Sequence, residues 1–235
     1  MVKKVMNKTL TPKQREVNRV VDALTQAIAQ HKLRPGTRLI EAQIVDSLQA
    51  NRNHVQSALQ RMSSQGIVQI EANHGAIVAR PTAKQAQEIF FARNMVECAI
   101  ISCITPEKMA HFASQIEQQQ QDEHSALLSH NHLNSVHQLG EFHTLMSRIA
   151  DNDVLRDILN NLMVMSSLIM MLYQKDISTH CQCNEHQQII AALQAGDCDI
   201  AQRLMREHLE ALQHQLDFGE NDLEGPSVYQ VLTQR

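Results

Sequence analysis

Apolar residues recur every three or four positions over residues 12–30, which predicts an amphipathic helix there. Residues 33–36 follow as a turn, because proline and glycine end a helix at that point. The same spacing predicts a second helix over residues 41–48 and a third over residues 51–65. Asn51 suits the N-cap of the third helix, since its side-chain oxygen can accept from free backbone N–H groups.

The period changes from helical to alternating after Gly66, which ends the third helix. Val68 and Ile70 alternate with polar neighbours, and residues 76–78 continue after a turn at Asn73-His74-Gly75. This pattern predicts a small β-hairpin. Helix, helix, short turn, helix and hairpin is the order of a winged helix-turn-helix. We therefore expect residues 1–80 to form such a domain.

Nearly every segment beyond residue 81 has helical periodicity. The predicted helices span residues 83–103, 106–127, 132–150, 152–175, 184–195 and 198–217. Gly196 and Asp197 separate the last two as helix stop and N-cap. We expect residues 81–218 to form an all-helical bundle and residues 219–235, which are polar and contain Gly and Pro, to form a tail. The predicted fold class is mainly α, with an N-terminal winged helix-turn-helix.

Charge divides the chain at the same place. Residues 1–80 hold 12 Lys and Arg against 5 Asp and Glu, a formal charge of +7, whereas residues 81–235 carry −11. This asymmetry indicates that the first domain meets a polyanion. Aromatic residues make up only 3%, which disfavours base stacking on single-stranded nucleic acid. The absence of a long apolar run and of a disulfide framework among five cysteines predicts a cytoplasmic protein without a membrane span.

A helix-turn-helix places the start of its second helix against base edges in the major groove. The early residues of that helix here are Asn51, Arg52, Asn53, His54 and Gln56. Arg52 can bond guanine or a phosphate, and Gln56 can reach adenine. We therefore expect this helix to read double-stranded DNA.

Further contacts are expected on both sides of that helix. Arg38 and Arg61 suit phosphates, and His74 and Gly75 at the hairpin tip can approach the minor groove or the backbone. A winged helix that contacts only proteins is the alternative. The charge of +7 disfavours it, because attraction to phosphate dominates affinity for nucleic acid.

These segments resemble the gluconate-repressor (GntR) family. Its PG-x-RL-x-E segment is similar to residues 35–41, its SR-x-PVR-x-AL helix to residues 51–59, and its N-x-GA-x-V wing to residues 73–78. Arg52 is retained, whereas Asn51, His54 and Gln56 replace the usual Ser, Pro and Arg. The resemblance implies a homodimer on a near-palindromic DNA operator.

Residues 82–217 resemble the effector domain of the fatty-acid-regulator (FadR) branch, an FCD-type domain. The matching pieces, in order, are R-x-x-x-E at 93–97, FH at 142–143, EH-x-x-I at 185–189, a Gly-Asp turn at 196–197 and M-x-x-HL at 205–209. The resemblance implies a divalent metal, Zn or Ni, on His143, His186 and His208. It also implies an Asp or Asn ligand four residues before the first histidine, where this chain has Leu139. A three-histidine site completed by water or effector and a site without metal both remain open.

Arg93 is the expected anchor of a small organic acid, because a guanidinium pairs bidentately with a carboxylate. The alternative is a pair with Glu97, one helical turn away. We predict a ligand-responsive repressor that is not an enzyme. A metal-sensing regulator and a three-histidine metal hydrolase are the rival functions, and the latter would need Glu141 or Glu185 as its base. A separate thiolate site formed by His180, Cys181 and Cys183 with His186 is a further hypothesis, and reduced thiols near a helix start are its alternative.

Overall fold

The structure, a computed structural model, describes residues 11–71, 75–128, 132–174 and 179–218. Within these ranges the chain forms two compact units. The first contains residues 11–27, 36–71 and 75–79, and the second contains residues 28–35 and the described residues from Arg80 to Phe218.

The first unit is a winged helix-turn-helix, as predicted. Its elements are α1 (Pro12–Ala29), β1 (Arg38–Leu39), α2 (Glu41–Leu48), α3 (Arg52–Ser64), β2 (Val68–Glu71) and β3 (Gly75–Val78). Helix α1 belongs to this unit as far as Ala27. The three strands form an antiparallel sheet in the order β1-β3-β2. In this register Arg38 lies opposite Ile77, and Val68 lies opposite Val78.

Local sequence explains how α3 is placed. Gln49 adopts a left-handed conformation (φ 47°) that closes the tight turn after α2. The Asn51 side chain accepts a hydrogen bond from the Asn53 backbone N–H at 2.8 Å, so the predicted N-cap is confirmed. The apolar face of α3 is buried through Val55, Ala58, Leu59 and Met62. The opposite face of the helix is therefore left towards solvent.

The second unit is a helical bundle. Its helices are α4 (Ala83–Ser102), α5 (Pro106–His111), α6 (Ala113–Leu128), α7 (His132–Ala150), α8 (Asp153–Tyr173), α9 (Thr179–Ala195) and α10 (Cys198–His214). The central helix α4 packs against α7, α8 and α10. Phe90, Phe142 and Ile101 are among the large side chains with almost no exposed surface.

Two predicted helix boundaries were wrong. The segment predicted as one helix over residues 106–127 breaks at Phe112 (φ −98°, ψ 13°) into α5 and α6. Helix α9 begins at Thr179 rather than at residue 184. Gly196 ends α9 with φ 82°, as predicted, and Asp197 stands at the N-cap of α10 without a side-chain capping bond.

By length and composition alone, α8 would also qualify as a helix that crosses a membrane. The core helices of soluble proteins pass the same test. In the bundle, Leu168 and Ile169 of this helix have no exposed surface.

A candidate DNA-reading helix and a three-histidine centre

The solvent-facing side of α3 carries the residues predicted to read DNA. Arg52, Asn53 and Gln56 are exposed, and His54 is half-buried. Glu41, the first residue of α2, faces this group. Its Oε2 accepts hydrogen bonds from Arg52 Nε at 3.3 Å and from Gln56 Nε2 at 3.0 Å. Sequence reasoning did not single out Glu41, although the PG-x-RL-x-E segment ends on it.

The flanking residues lie in different settings. Arg38 is exposed on β1, and Arg61 is exposed but donates to Asn18 Oδ1 at 2.6 Å. Gly75 has φ 82°, and a Cβ added there would meet no atom within 4 Å. The positive φ, rather than a lack of space for a side chain, therefore explains why this residue is glycine. His74 lies outside the described residues.

In the second unit, three helices bring one histidine each to a common point. His143 of α7, His186 of α9 and His208 of α10 are between 1% and 2% exposed. The Nε2 atoms of His186 and His208 lie 3.3 Å apart, and those of His208 and His143 lie 3.4 Å apart. The predicted trio therefore points its Nε2 atoms at one small volume.

A carboxylate lies beside the Nδ1 atom of each histidine ring. Glu97 of α4 contacts His143 Nδ1, Glu123 of α6 lies 3.0 Å from His186 Nδ1, and Glu185 of α9 lies 2.7 Å from His208 Nδ1. A carboxylate at Nδ1 fixes the tautomer with the proton on Nδ1 and directs the Nε2 lone pair to the other side.

Burial favours the neutral form of two of these imidazoles, those of His143 and His186. It lowers the pKa of His143 to about 3 and, together with the nearby His208, lowers the pKa of His186 well below its usual value. The ring of His186 also stacks on Phe142, with centroids 3.8 Å apart. Neutral, immobilised imidazoles are the form in which histidine binds a metal.

The donor set fits a divalent ion of the zinc type. Metal–nitrogen bonds of 2.0–2.1 Å in a tetrahedral arrangement require nitrogens about 3.4 Å apart. The Nε2–Nε2 separations of 3.3 Å and 3.4 Å match this requirement. Leu139, at the place of the expected fourth ligand, is buried and offers no donor atom. The three histidines thus supply three of the four donors of a tetrahedral ion, and the position of Leu139 supplies none.

Comparison with known proteins gives two family matches. Residues 16–78 match the model for bacterial regulatory proteins of the gntR family, and residues 88–211, more than half of the chain, match the FCD domain. The chain belongs to the GntR family. Regulators of this family bind DNA operators, and FCD domains bind small-molecule effectors and are often associated with a metal.

Individual relatives agree with this assignment. The HTH-type transcriptional repressor RspR of Escherichia coli is 25% identical over 86% of this chain and 90% of its own length. A GntR-type putative regulator from Rhodococcus has a similar fold, with a TM-score of 0.73, 23% identity, and coverage of 86% of this chain and 97% of that one. The structure of Escherichia coli McbR/YncC is also similar, with a TM-score of 0.71, 19% identity, and coverage of 85% and 97%. This GntR-family chain is therefore a transcriptional regulator with an FCD domain.

Arg93 of this GntR-family regulator is 3% exposed and donates from Nε to Glu97 Oε1 at 2.5 Å. The structure thus contains the Arg93–Glu97 pair that the sequence left as an alternative. Burial would raise the pKa of Glu97, but Arg93 and His143 outweigh that effect and lower it. Because the bond uses Nε, Glu97 does not engage the two terminal nitrogens of Arg93.

The separate thiolate site gains no support from the regulator's structure. Burial, followed by the nearby Glu123, raises the pKa of the Cys183 thiol to about 12, so the thiol stays protonated. Cys183 hydrogen-bonds Glu123, whose pKa burial raises to about 7. The side chain of Cys181 lies outside the described residues. Among the described residues, the three histidines form the one group of metal-binding side chains.

Proposed function

We propose that this regulator is a homodimeric repressor whose FCD domain holds a divalent metal on His143, His186 and His208 and takes up a small organic acid. The observation that carries the proposal is the convergence of three Nε2 atoms, each on a ring with a carboxylate at its other nitrogen. The repressor role is supported by RspR, a relative that is named as a transcriptional repressor.

The residues around the histidines have distinct roles in this proposal. A divalent ion would supply positive charge and coordination positions for an oxygen ligand, since Leu139 leaves the fourth protein position without a donor. Arg93 would bind the same acid through its terminal nitrogens, because a guanidinium recognises a carboxylate bidentately. Glu97 holds Arg93 through one oxygen and His143 through the other, so it fixes the orientation of both.

Binding of the acid would act on DNA through the dimer. A ligand shifts an equilibrium between two arrangements only by its difference in affinity for them. In a dimer the relevant arrangements differ in the spacing of the two recognition helices, which must match successive major grooves. We expect operator binding to weaken steeply with salt, because α3 and the residues around it approach phosphates.

Metal content tests the histidine site directly. The full chain is loaded with zinc, dialysed and analysed for metal, and we expect about one ion per chain. His208→Ala should lose the ion because one of three ligands is gone. His214→Ala, an exposed histidine on the same helix, should keep it. Equal metal content in wild type and His208→Ala would refute the proposal.

A metal sensor is the second candidate, and it is favoured by the burial of all three histidines, the one such metal-binding group among the residues that the structure describes. Binding to a duplex selected from a random library is measured with chelator and then with zinc alone. A change with zinc and no organic acid would identify the ion as the signal. We do not propose the hydrolase, because Glu185 is committed to His208 and the relatives are transcriptional regulators.

A further inference from the structure

We propose that Glu41 sets the base preference of the recognition helix by holding Arg52 and Gln56 together as one hydrogen-bonded unit. The inference rests on the proposed contact of α3 with the major groove. It assigns Glu41 the role of a positioning residue, which acts on DNA through its two neighbours.

The geometry joins two side chains that could otherwise move separately. Arg52 and Gln56 are four residues apart on α3, so they lie on the same face. A single oxygen of Glu41 accepts from Arg52 Nε and from Gln56 Nε2. The contact leaves the terminal nitrogens of Arg52 for a guanine edge or a phosphate.

Stability of the fold does not account for this arrangement. The Arg52 side chain is 75% exposed and that of Glu41 is 35% exposed. Ion pairs in such positions contribute little to folding, because water screens the charges and the long side chains lose rotational freedom. That loss of freedom is instead useful in recognition, since side chains ordered before binding need not be ordered during it.

The charge of Glu41 also argues for a role in specificity. A carboxylate beside a DNA-reading surface repels phosphates and therefore weakens binding to every duplex. A residue that weakens general affinity while ordering two base-reading side chains increases the difference between the correct and the wrong sequence.

Selection from a randomised duplex library with the full-length protein tests the proposal. The variants are Glu41→Ala, Glu41→Asp, Arg52→Ala and Gln56→Ala, with Asp46→Ala as the control. Asp46 is an exposed acid on the same helix, so its removal changes the charge of α2 by the same amount. Glu41→Asp keeps the charge at the start of α2 but shortens the side chain by one methylene.

Each bidentate base contact discriminates by about 5- to 150-fold. We expect Glu41→Ala and Glu41→Asp to lose at least about fivefold in preference at the base positions that Arg52→Ala or Gln56→Ala also affects. Glu41→Ala should in addition bind random duplex more tightly than wild type. Asp46→Ala should keep the wild-type preferences. Melting temperatures near that of wild type would establish that the Glu41 variants are folded.

A double-variant cycle separates positioning from direct reading. In an Arg52→Ala, Gln56→Ala background, adding Glu41→Ala should change base preference by less than twofold, because the residues it positions are gone. An undiminished effect in that background would mean that Glu41 reads a base itself and would overturn the proposal. So would a Glu41→Asp variant with wild-type preferences. If the wild type enriches no sequence, the proposed DNA contact of α3 fails as well.

Discussion

The Arg93–Glu97 pair allows a direct test of how burial changes the contribution of an ion pair to the free energy of unfolding. Glu97 is 2% exposed, and its two oxygens contact Arg93 and His143. Glu97→Gln would leave the buried guanidinium without its counter-charge. Removing one partner of a buried pair costs about 3–5 kcal/mol of unfolding free energy. Because Gln keeps one oxygen that can still accept from Arg93, we expect a loss of about 3 kcal/mol.

A second Arg–Glu pair with the same i,i+4 spacing provides a matched, exposed control. Arg203 and Glu207 form an i,i+4 pair on α10 with 60% and 55% of their side chains exposed. Glu207→Gln removes the same charge from the same spacing, and we expect a loss below about 0.5 kcal/mol. The two substitutions therefore differ chiefly in burial and in the contact with His143.

Urea unfolding of the metal-free protein, followed by far-ultraviolet circular dichroism, measures both losses. With a slope of about 2 kcal/mol per molar urea, Glu97→Gln should lower the midpoint by about 1.5 M. The double variant Arg93→Met, Glu97→Gln should recover at least half of the loss, because no unpaired charge stays buried. A Glu97→Gln midpoint within experimental error of the Glu207→Gln midpoint would refute the reasoning.

Three further substitutions have definite expected outcomes. Leu139→Asp restores the ligand that the family pattern has at this position. The affinity for zinc, measured by competition with a chelator, should therefore rise at least about tenfold. An unchanged affinity would contradict the placement of the site. Lys108→Met should cost about 2–4 kcal/mol in urea unfolding, because Lys108 Nζ donates to the carbonyls of Cys103 at 2.9 Å and Ala150 at 2.7 Å. Asn51→Ala should cost about 1 kcal/mol in thermal unfolding through loss of the cap, whereas an unchanged melting temperature would mean that the cap contributes nothing.

Most of the fold was predictable because local pattern and tertiary packing agree in it. The apolar face of α3, the Asn51 cap and the stop at Gly66 are all short-range features of the sequence. The break at Phe112 was not predictable, since helical periodicity continues through it and only the backbone turns away. The start of α9 was also missed, because its first residues are polar and carry no apolar spacing.

The candidate sites likewise contain residues that the sequence predicted and residues that it did not. The three histidines were named from family motifs, each of which is short and local. Glu123 was missed because it lies 63 residues from His186, and only the packing of α6 against α9 brings them together. Glu41 was missed for a related reason, since no helical period links it to Arg52 and only the turn between α2 and α3 does.

The carboxylates behind the histidines explain how one small site can influence a whole bundle. They come from α4, α6 and α9, and the histidines come from α7, α9 and α10, so five helices meet in a single hydrogen-bonded cluster. Buried polar groups keep such contacts because leaving any one of them unpaired is costly. A change in charge at the three histidines would therefore alter hydrogen bonds that involve all five helices. Among them, α4 begins at Ala83, five residues after β3 ends at Val78. Glu97 thus connects the histidine centre to the helix that directly continues the chain of the DNA-binding unit.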